Sequence, residues 1–342
     1  MPAQGDVPPS LLPLITGFMP ARVIHVAAML GLADLLAEGA KTTDTLARET
    51  STHAASLQRL LRALASMGLI AESEPGRFEL TAMGAQLRSD VPGSMHRLAL
   101  MYGGERAWRS WEELLHSVRT GESATQHVFG VTSFEYFAAN PDQSVNFNAA
   151  MAELTRLVTA ALISTYDFSM LGTIIDVGGG NGAMMAAIIG ATPALRGVVF
   201  DLPSGSAQAS RTLADAKVDD RCEVISGDFF REVPGGAGGY ILKSVIHDWD
   251  DDASVAILKN CRIAMHDKSK LLLVERVMPE IMKHSPHEQR MAMIDINMLA
   301  MQGGRERTKA EYRALLANAG FVLTRIVPLP GLDFSLIEAD PL

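Results

Sequence analysis

Two residues suggest what chemistry this chain could perform. His247 follows the apolar run Tyr240–Ile246, within Lys243-Ser244-Val245-Ile246-His247-Asp248-Trp249, and Glu275 follows the apolar run Leu271–Val274. A histidine just past an apolar strand stands at the rim of a crevice, where it can exchange a proton near neutral pH. A carboxylate in a buried strand is costly unless it has a partner. If the two runs are neighbouring strands, Glu275 can approach the imidazole, set its tautomer and stabilise the imidazolium formed on proton abstraction. That would be general-base chemistry. A second acid, Glu306, lies in Gly303-Gly304-Arg305-Glu306-Arg307-Thr308. It reads equally as a second partner of the base or as part of a helix start, with Thr308 capping the helix that carries Glu311. Asp250, Asp251 and Asp252 read as the cap and first turn of the helix after His247.

A glycine turn supplies the candidate ligand site. Asp176-Val177-Gly178-Gly179-Gly180-Asn181-Gly182 follows a strand-like run and precedes the helical stretch Ala183–Ile189. Glycines such as Gly178, Gly180 and Gly182 let the backbone approach a ligand and turn into the helix. Gly178-x-Gly180-x-x-Ala183 also fits a dinucleotide fingerprint, so a nicotinamide-dependent reductase is one reading. Three neighbours favour another. Asp176 is placed to face an ammonium group, for which a dinucleotide site has no use. Asp201 ends the next strand, where an acid binds ribose hydroxyls. Asp228-Phe229 ends the third, pairing an acceptor for an exocyclic amine with a ring for the face of adenine. Asp201 and Asp228 can each also be read as turn caps. Together, at successive strand ends, they point to S-adenosylmethionine.

Methyl transfer from that cofactor is a displacement on a sulfonium cation. A base that deprotonates the acceptor makes the step charge-cancelling, which a dry apolar pocket favours. Alignment would supply most of the acceleration and the base roughly 10²–10⁴-fold. Met291, Met293, Met298 and Met301 fall in one helical stretch, as core or as a flexible surface for flat aromatic ligands. Met298 and Met301, with Trp108, Phe147, Asn148 and Met151, are the substrate-pocket candidates. No metal is expected, because no His/Cys cluster has ligand spacing.

The elements that must position these groups are legible as patterns. Thr173–Val177, Gly197–Phe200, Cys222–Ile225, Tyr240–Ile246 and Leu271–Val274 alternate with helical stretches, the signature of a parallel, doubly wound α/β sheet. Phe321–Val327 and Phe334–Ala339 flank Pro330-Gly331 as an antiparallel hairpin at its edge. Upstream, Ile24, Ala27, Ala28, Leu32, Leu35 and Leu36 form one helical stripe. A short helix opens at Thr43, a longer one spans Ala54–Met67, and a hairpin turns at Pro75-Gly76. That order spells a winged helix. The expected division is a mainly helical winged-helix module over residues 1–95, a helical linker and pocket segment over 96–168, and a cofactor-binding domain over 169–342.

Composition narrows the class. With 30 basic against 39 acidic residues the formal net charge is −9, which argues against a general nucleic-acid binder. Within residues 40–90 six basic residues meet six acidic ones, so the winged helix is poorly equipped to hold DNA as a transcriptional regulator would. The two cysteines, Cys222 and Cys261, exclude a disulfide framework. Met1–Asp6 has no basic leader character, and no uncharged apolar run is long enough to span a membrane. The expectation is a cytoplasmic protein.

These segments resemble the class I S-adenosylmethionine-dependent O-methyltransferases of the plant caffeic-acid type and their bacterial secondary-metabolite relatives. Asp176–Gly182, Val199–Pro203, Gly227–Phe230, Lys243–Asp252 and Gly303–Thr308 carry the likeness, with Phe134–Pro141 and Phe147–Met151 upstream. The resemblance implies a Rossmann-like catalytic domain, a winged-helix module used for homodimerisation, and a small aromatic hydroxylated substrate. His247 would be the general base, with Glu275 and Glu306 flanking it and Asp248 beside it. Asp201 and Leu202 would bind ribose, Asp228 and Phe229 adenine, and Lys243 and Trp249 further parts of the cofactor. Some bacterial members keep this fold for decarboxylation, hydroxylation or pericyclic steps. The intact His247-Asp248 pair and Glu275 favour methyl transfer.

Overall fold

The computed structural model describes residues 10–342, so the reading of Met1–Asp6 lies outside the described residues. The chain forms two compact units, one made of Met1–Trp108 and Asn140–Glu153, the other of Arg109–Ala139 and Leu154–Leu342. The stretch 96–168, read from sequence as one segment, is therefore shared between them.

In the first unit, helices Thr43–Glu49 and Ala54–Ser66 precede antiparallel strands Ile70–Glu74 and Arg77–Leu80, with Lys41–Thr42 as a third strand beside the second. This is a winged-helix arrangement. Leu46, Leu57, Leu61, Leu64 and Phe78 fill its core. The stripe expected to be one helix from Ile24 to Leu36 is two, Phe18–Met29 and Leu32–Ala37. Gly31 takes a φ of 62°, a left-handed conformation that stops the first helix and starts the second at a new angle.

The second unit is built on a seven-stranded sheet: β1 Thr173–Val177, β2 Arg196–Asp201, β3 Cys222–Ser226, β4 Gly239–Lys243, β5 Lys270–Glu275, β6 Phe321–Pro328 and β7 Ser335–Pro341. Their order across the sheet is β6-β7-β5-β4-β1-β2-β3, and β7 alone runs against the rest. Alternating side chains fill two cores. Ile175, Val177, Phe200, Leu242 and Leu273 face one; Ile174, Val199, Ile241, Leu272 and Val274 face the other. Burial on both faces is why these strands read as unbroken apolar runs. Helices α1 Ala183–Ala191, α2 Asp251–Ala264, α3 Pro286–Gln302 and α4 Lys309–Asn318 connect and flank them. Among the described residues no helix is long and apolar enough to cross a membrane.

One strand is shorter than its hydrophobicity suggests. The run Tyr240–Ile246 reads as strand throughout, but β4 stops at Lys243. Ser244 turns the chain with a φ of 53°, and Ile246–Asp248 form a single 3-10 turn. This bend brings His247 off the strand axis at the carboxyl edge of the sheet.

Leu61 is fully buried in the first unit's core. Leu61→Ala should lower that unit's unfolding free energy by about 2–5 kcal/mol, read from the denaturant midpoint of the transition lost with the helical signal.

Candidate active site

At the carboxyl ends of β4 and β5 one imidazole is surrounded by acids. His247 Nδ1 lies 3.0 Å from Glu306 Oε1 and 3.6 Å from Glu275 Oε2, while Nε2 is 3.7 Å from Asp248 Oδ1. Only the first is a hydrogen bond. The partner that sets the tautomer is thus Glu306, where the strand pattern alone pointed to Glu275. In the neutral ring, with Nδ1–H donating to Glu306, Nε2 carries the available lone pair. Glu275 has a different task. Its Oε1 accepts from the amides of Val245 at 3.0 Å and Ile246 at 2.9 Å, so it holds the turn that carries His247.

The segment after α3 grips the same turn residue by residue. Arg305 N–H donates to His247 O at 2.8 Å, and Glu306 meets the ring. Arg307, fully buried, donates to Ile246 O at 3.0 Å, Trp249 O at 2.9 Å and Asp251 Oδ1 at 2.8 Å. Gly304 packs so close that a Cβ there would stand 2.1 Å from His247 O. Asp295 on α3 accepts the Glu306 amide at 2.8 Å. The alternative sequence reading of this segment also holds. Thr308 caps α4 in a capping box with Glu311, and Asp250 caps α2.

Burial favours a neutral imidazole, but Glu275, Glu306 and Asp248 outweigh it and raise the His247 pKa to about 9. Burial likewise pushes Asp248 up to about 6 and raises Glu275. Glu306 runs the other way: burial opposes its charge, but the His247 and Arg276 cations hold it below the usual carboxylate range. Ligand atoms of His247, Glu275 and Glu306 fall within 4.8 Å of one another, a spacing that could admit a metal ion. The Glu306 oxygen nearest the ring is already engaged by two cationic donors, His247 and Arg276.

The glycine turn lies on the neighbouring strand ends. Gly178, Gly180 and Gly182 have φ values of 77°, 55° and 75°. A Cβ at Gly178 would meet Val245 Cγ2 at 2.8 Å, so the turn passes directly against the loop after β4. Asp176 is buried, and its Oδ2 has no hydrogen-bond partner. Burial raises its pKa to about 7, against the pull of Lys243. An unsatisfied buried carboxylate beside open glycine backbone fits a ligand carrying an ammonium group. Asp201 accepts from Gly180 N–H at 2.8 Å and from the Leu202 amide, leaving acceptor capacity on both oxygens. Asp228 caps its own turn by accepting from the Phe230 amide at 2.9 Å. Phe229 and Phe230 each meet Trp249 edge to face and tilt against one another, with centroids 4.8–6.3 Å apart. Burial lowers the pKa of Lys243.

The pocket candidates divide between the units. Trp108, under the Arg22 guanidinium at 4.6 Å, belongs with Phe147, Asn148 and Met151 to the first. Met298 and Met301 are buried in the second, with Met291, whereas Met293 is half exposed. Sequence reasoning overlooked Arg276, Asp295 and Arg307. Only Arg276 left a trace there, as a second charge straight after an apolar strand.

Two sequence profiles match. One, the O-methyltransferase domain, covers residues 111–322, and the other, the O-methyltransferase dimerisation domain, covers residues 12–90. The chain belongs to the O-methyltransferase family. It is 43% identical over 340 residues to the phenazine O-methyltransferase PhzM of Lysobacter antibioticus, spanning 99% of this chain and 98% of that one. It is 41% identical to the O-demethylpuromycin-O-methyltransferase of Streptomyces alboniger, over 99% and 90%. The O-methyltransferase NcsB1 of neocarzinostatin biosynthesis, solved in complex with S-adenosylmethionine and 2-hydroxy-5-methyl naphthoic acid, superposes with a TM-score of 0.84 at 33% identity, covering 98% and 100%. Among O-methyltransferases the similarity goes to the bacterial secondary-metabolite enzymes, not specifically to the plant caffeic-acid type.

In this O-methyltransferase Asp176 is a buried acid whose folded pKa, about 7, exceeds its unfolded value of 3.8. Its ionisation therefore opposes folding progressively from pH 4 to 7 and fully above. Asp176→Asn should raise the ligand-free melting temperature at pH 8, with the gap closing as pH falls towards 4, as differential scanning fluorimetry across pH would show.

Proposed function

We propose that this O-methyltransferase transfers a methyl group from S-adenosylmethionine to a hydroxyl, phenolic in character, of an aromatic secondary metabolite, with His247 as general base. The observation that carries this reading is the His247–Glu306 hydrogen bond of 3.0 Å, which directs the neutral ring's one proton to Nδ1 and leaves Nε2, free of any hydrogen bond at the sheet's carboxyl edge, as the atom that accepts a proton once the ring is deprotonated.

The ligand sites fit the cofactor. Asp176 supplies an unsatisfied carboxylate to its ammonium group. Backbone at Gly178, Gly180 and Gly182 lets it lie close, and Asp201 with Leu202 receives the ribose. Asp228 and Phe229 receive adenine, with Lys243 and Trp249 nearby. When bound, the cofactor supplies an electrophilic methyl group on a sulfonium. The chain supplies alignment and a proton acceptor. His247 Nε2 takes the acceptor's proton, and the resulting imidazolium is stabilised by Glu306 through Nδ1, with Glu275 and Asp248 adding charge. Glu275 also keeps the loop in place through two amides. Met298 and Met301 on α3 offer thioether contacts to an aromatic acceptor.

The family's dimerisation profile and the surface of the first unit support a homodimer. Leu12, Ile15, Phe18 and Met19 are each more than half exposed near the start of the chain. Several large apolar side chains exposed in one short segment are a feature of interaction sites.

His247→Ala should keep the fold and bind S-adenosylhomocysteine in calorimetry with unchanged affinity, while turnover of a phenolic acceptor falls about 10²–10⁴-fold. Because only the unprotonated ring accepts a proton, wild-type kcat/KM should climb with pH along a limb centred near 9. Ile15→Asp with Phe18→Asp should give monomers by light scattering; an already monomeric wild type would exclude the dimer.

A further inference from the structure

Arg276 plays no part in the reading above, yet it shares an oxygen with the proposed base's partner. Its Nη1 donates to Glu306 Oε1 at 3.1 Å, the same oxygen that His247 Nδ1 meets at 3.0 Å. Glu306 Oε2 and Arg276 Nε have no hydrogen-bond partner. The carboxylate is therefore pinned through one oxygen by two donors. The guanidinium is held over the Phe334 ring, with Cζ 4.1 Å from its centroid, so it cannot swing away without losing that contact.

The charge around the imidazole explains why such a cation matters. From the loop after β4 it faces Asp248, with Lys243 just behind; from β5, Glu275; from the segment after α3, Glu306. Asp295 on α3 adds a further acid behind Glu306, and Tyr312 on α4 is an uncharged neighbour. Arg305 is turned outward to Glu311, and Arg307 is engaged by Asp251 and backbone carbonyls. Three carboxylates beside one imidazole hold its proton firmly, which stabilises the product of proton transfer but starves the resting enzyme of free base. A cation on the Glu306 oxygen offsets that pull.

We propose that Arg276 is a positioning residue that anchors Glu306 against His247 Nδ1 and neutralises part of its charge, so that the imidazole releases its proton within the working pH range. The inference rests on His247 being the base.

The test compares kcat/KM against pH for wild type, R276Q, R276K and H247A, using labelled S-adenosylmethionine and one phenolic acceptor. R276Q should move the rising limb to higher pH by about one pH unit. Activity at pH 7 should then fall about tenfold and recover to within about threefold of wild type above the limb. R276K, which keeps the charge, should stay on the wild-type limb. A residue that only supports the fold would lower the rate at every pH without displacing the limb, and that result would overturn the proposal. Should R276Q fail to fold because Glu306 is left unmatched, the charge-balanced R276Q/E306Q pair replaces it. Because Arg276 acts through Glu306, the limb of the pair should coincide with that of E306Q alone, and a limb displaced from it by about a further pH unit overturns the proposal. If H247A retains the wild-type limb, the base assignment itself is wrong; if the limb disappears in H247A but R276Q leaves it in place, only the role of Arg276 falls.

Discussion

A carboxylate can be buried only where its neighbours satisfy its charge, and at the ends of β4 and β5 this requirement organises the whole site. Glu275 has no exposure and resolves the problem with two backbone amides and a nearby imidazole. Those amides belong to Val245 and Ile246, the residues that lead into His247. The demand for a partner thus fixes the path of the loop. Once the loop is fixed, His247 has one place to go, and the segment 304–307 closes over it from the other side. The network is not closed, since Glu275 Oε2 and Glu306 Oε2 have no hydrogen-bond partner, and its cohesion rests on the bonds that Glu275 Oε1, Glu306 Oε1 and Arg307 make.

The rest of the second unit provides edges on which such a network can stand. Strands buried on both faces cannot shift register without exposing apolar side chains, so their ends are placed accurately. Ser244 turns the chain just past the end of β4: its left-handed backbone costs about 1–2 kcal/mol and is held by the Glu275 bonds that follow it. Asp176 carries a penalty too, since a buried acid with an unsatisfied oxygen opposes folding at neutral pH. Both are local costs at the carboxyl edge of the sheet, where the proposed cofactor site lies, and unfavourable features are tolerated at such places in folded proteins.

Much of this was legible in the sequence, and the reasons differ by residue. The strands, the winged helix and the edge hairpin follow from local periodicity, which burial enforces. The break at Leu30-Gly31 was not legible, because apolar spacing continues across it and a lone glycine in a helical pattern is ambiguous. The end of β4 was missed for a related reason: Val245 and Ile246 are buried and apolar whether or not the chain is extended there. His247 and Glu275 stood out because a polar residue in an apolar run demands an explanation. Glu306 was also singled out, but its role stayed open between a partner of the base and part of a helix start, since it lies 59 positions from His247 and next to a genuine helix cap. Arg307 was invisible as a buried residue, because its four acceptors come from a segment more than fifty positions away.

The capping box at Thr308 has a further consequence. It ties the first turn of α4 to the residue immediately after Arg307, so the stretch that touches the histidine continues directly into a regular helix. Conformational freedom is surrendered there during folding. The histidine and its acidic partner are consequently held in one arrangement by the fold itself, and on the proposed mechanism little reorganisation entropy would remain to slow the chemical step.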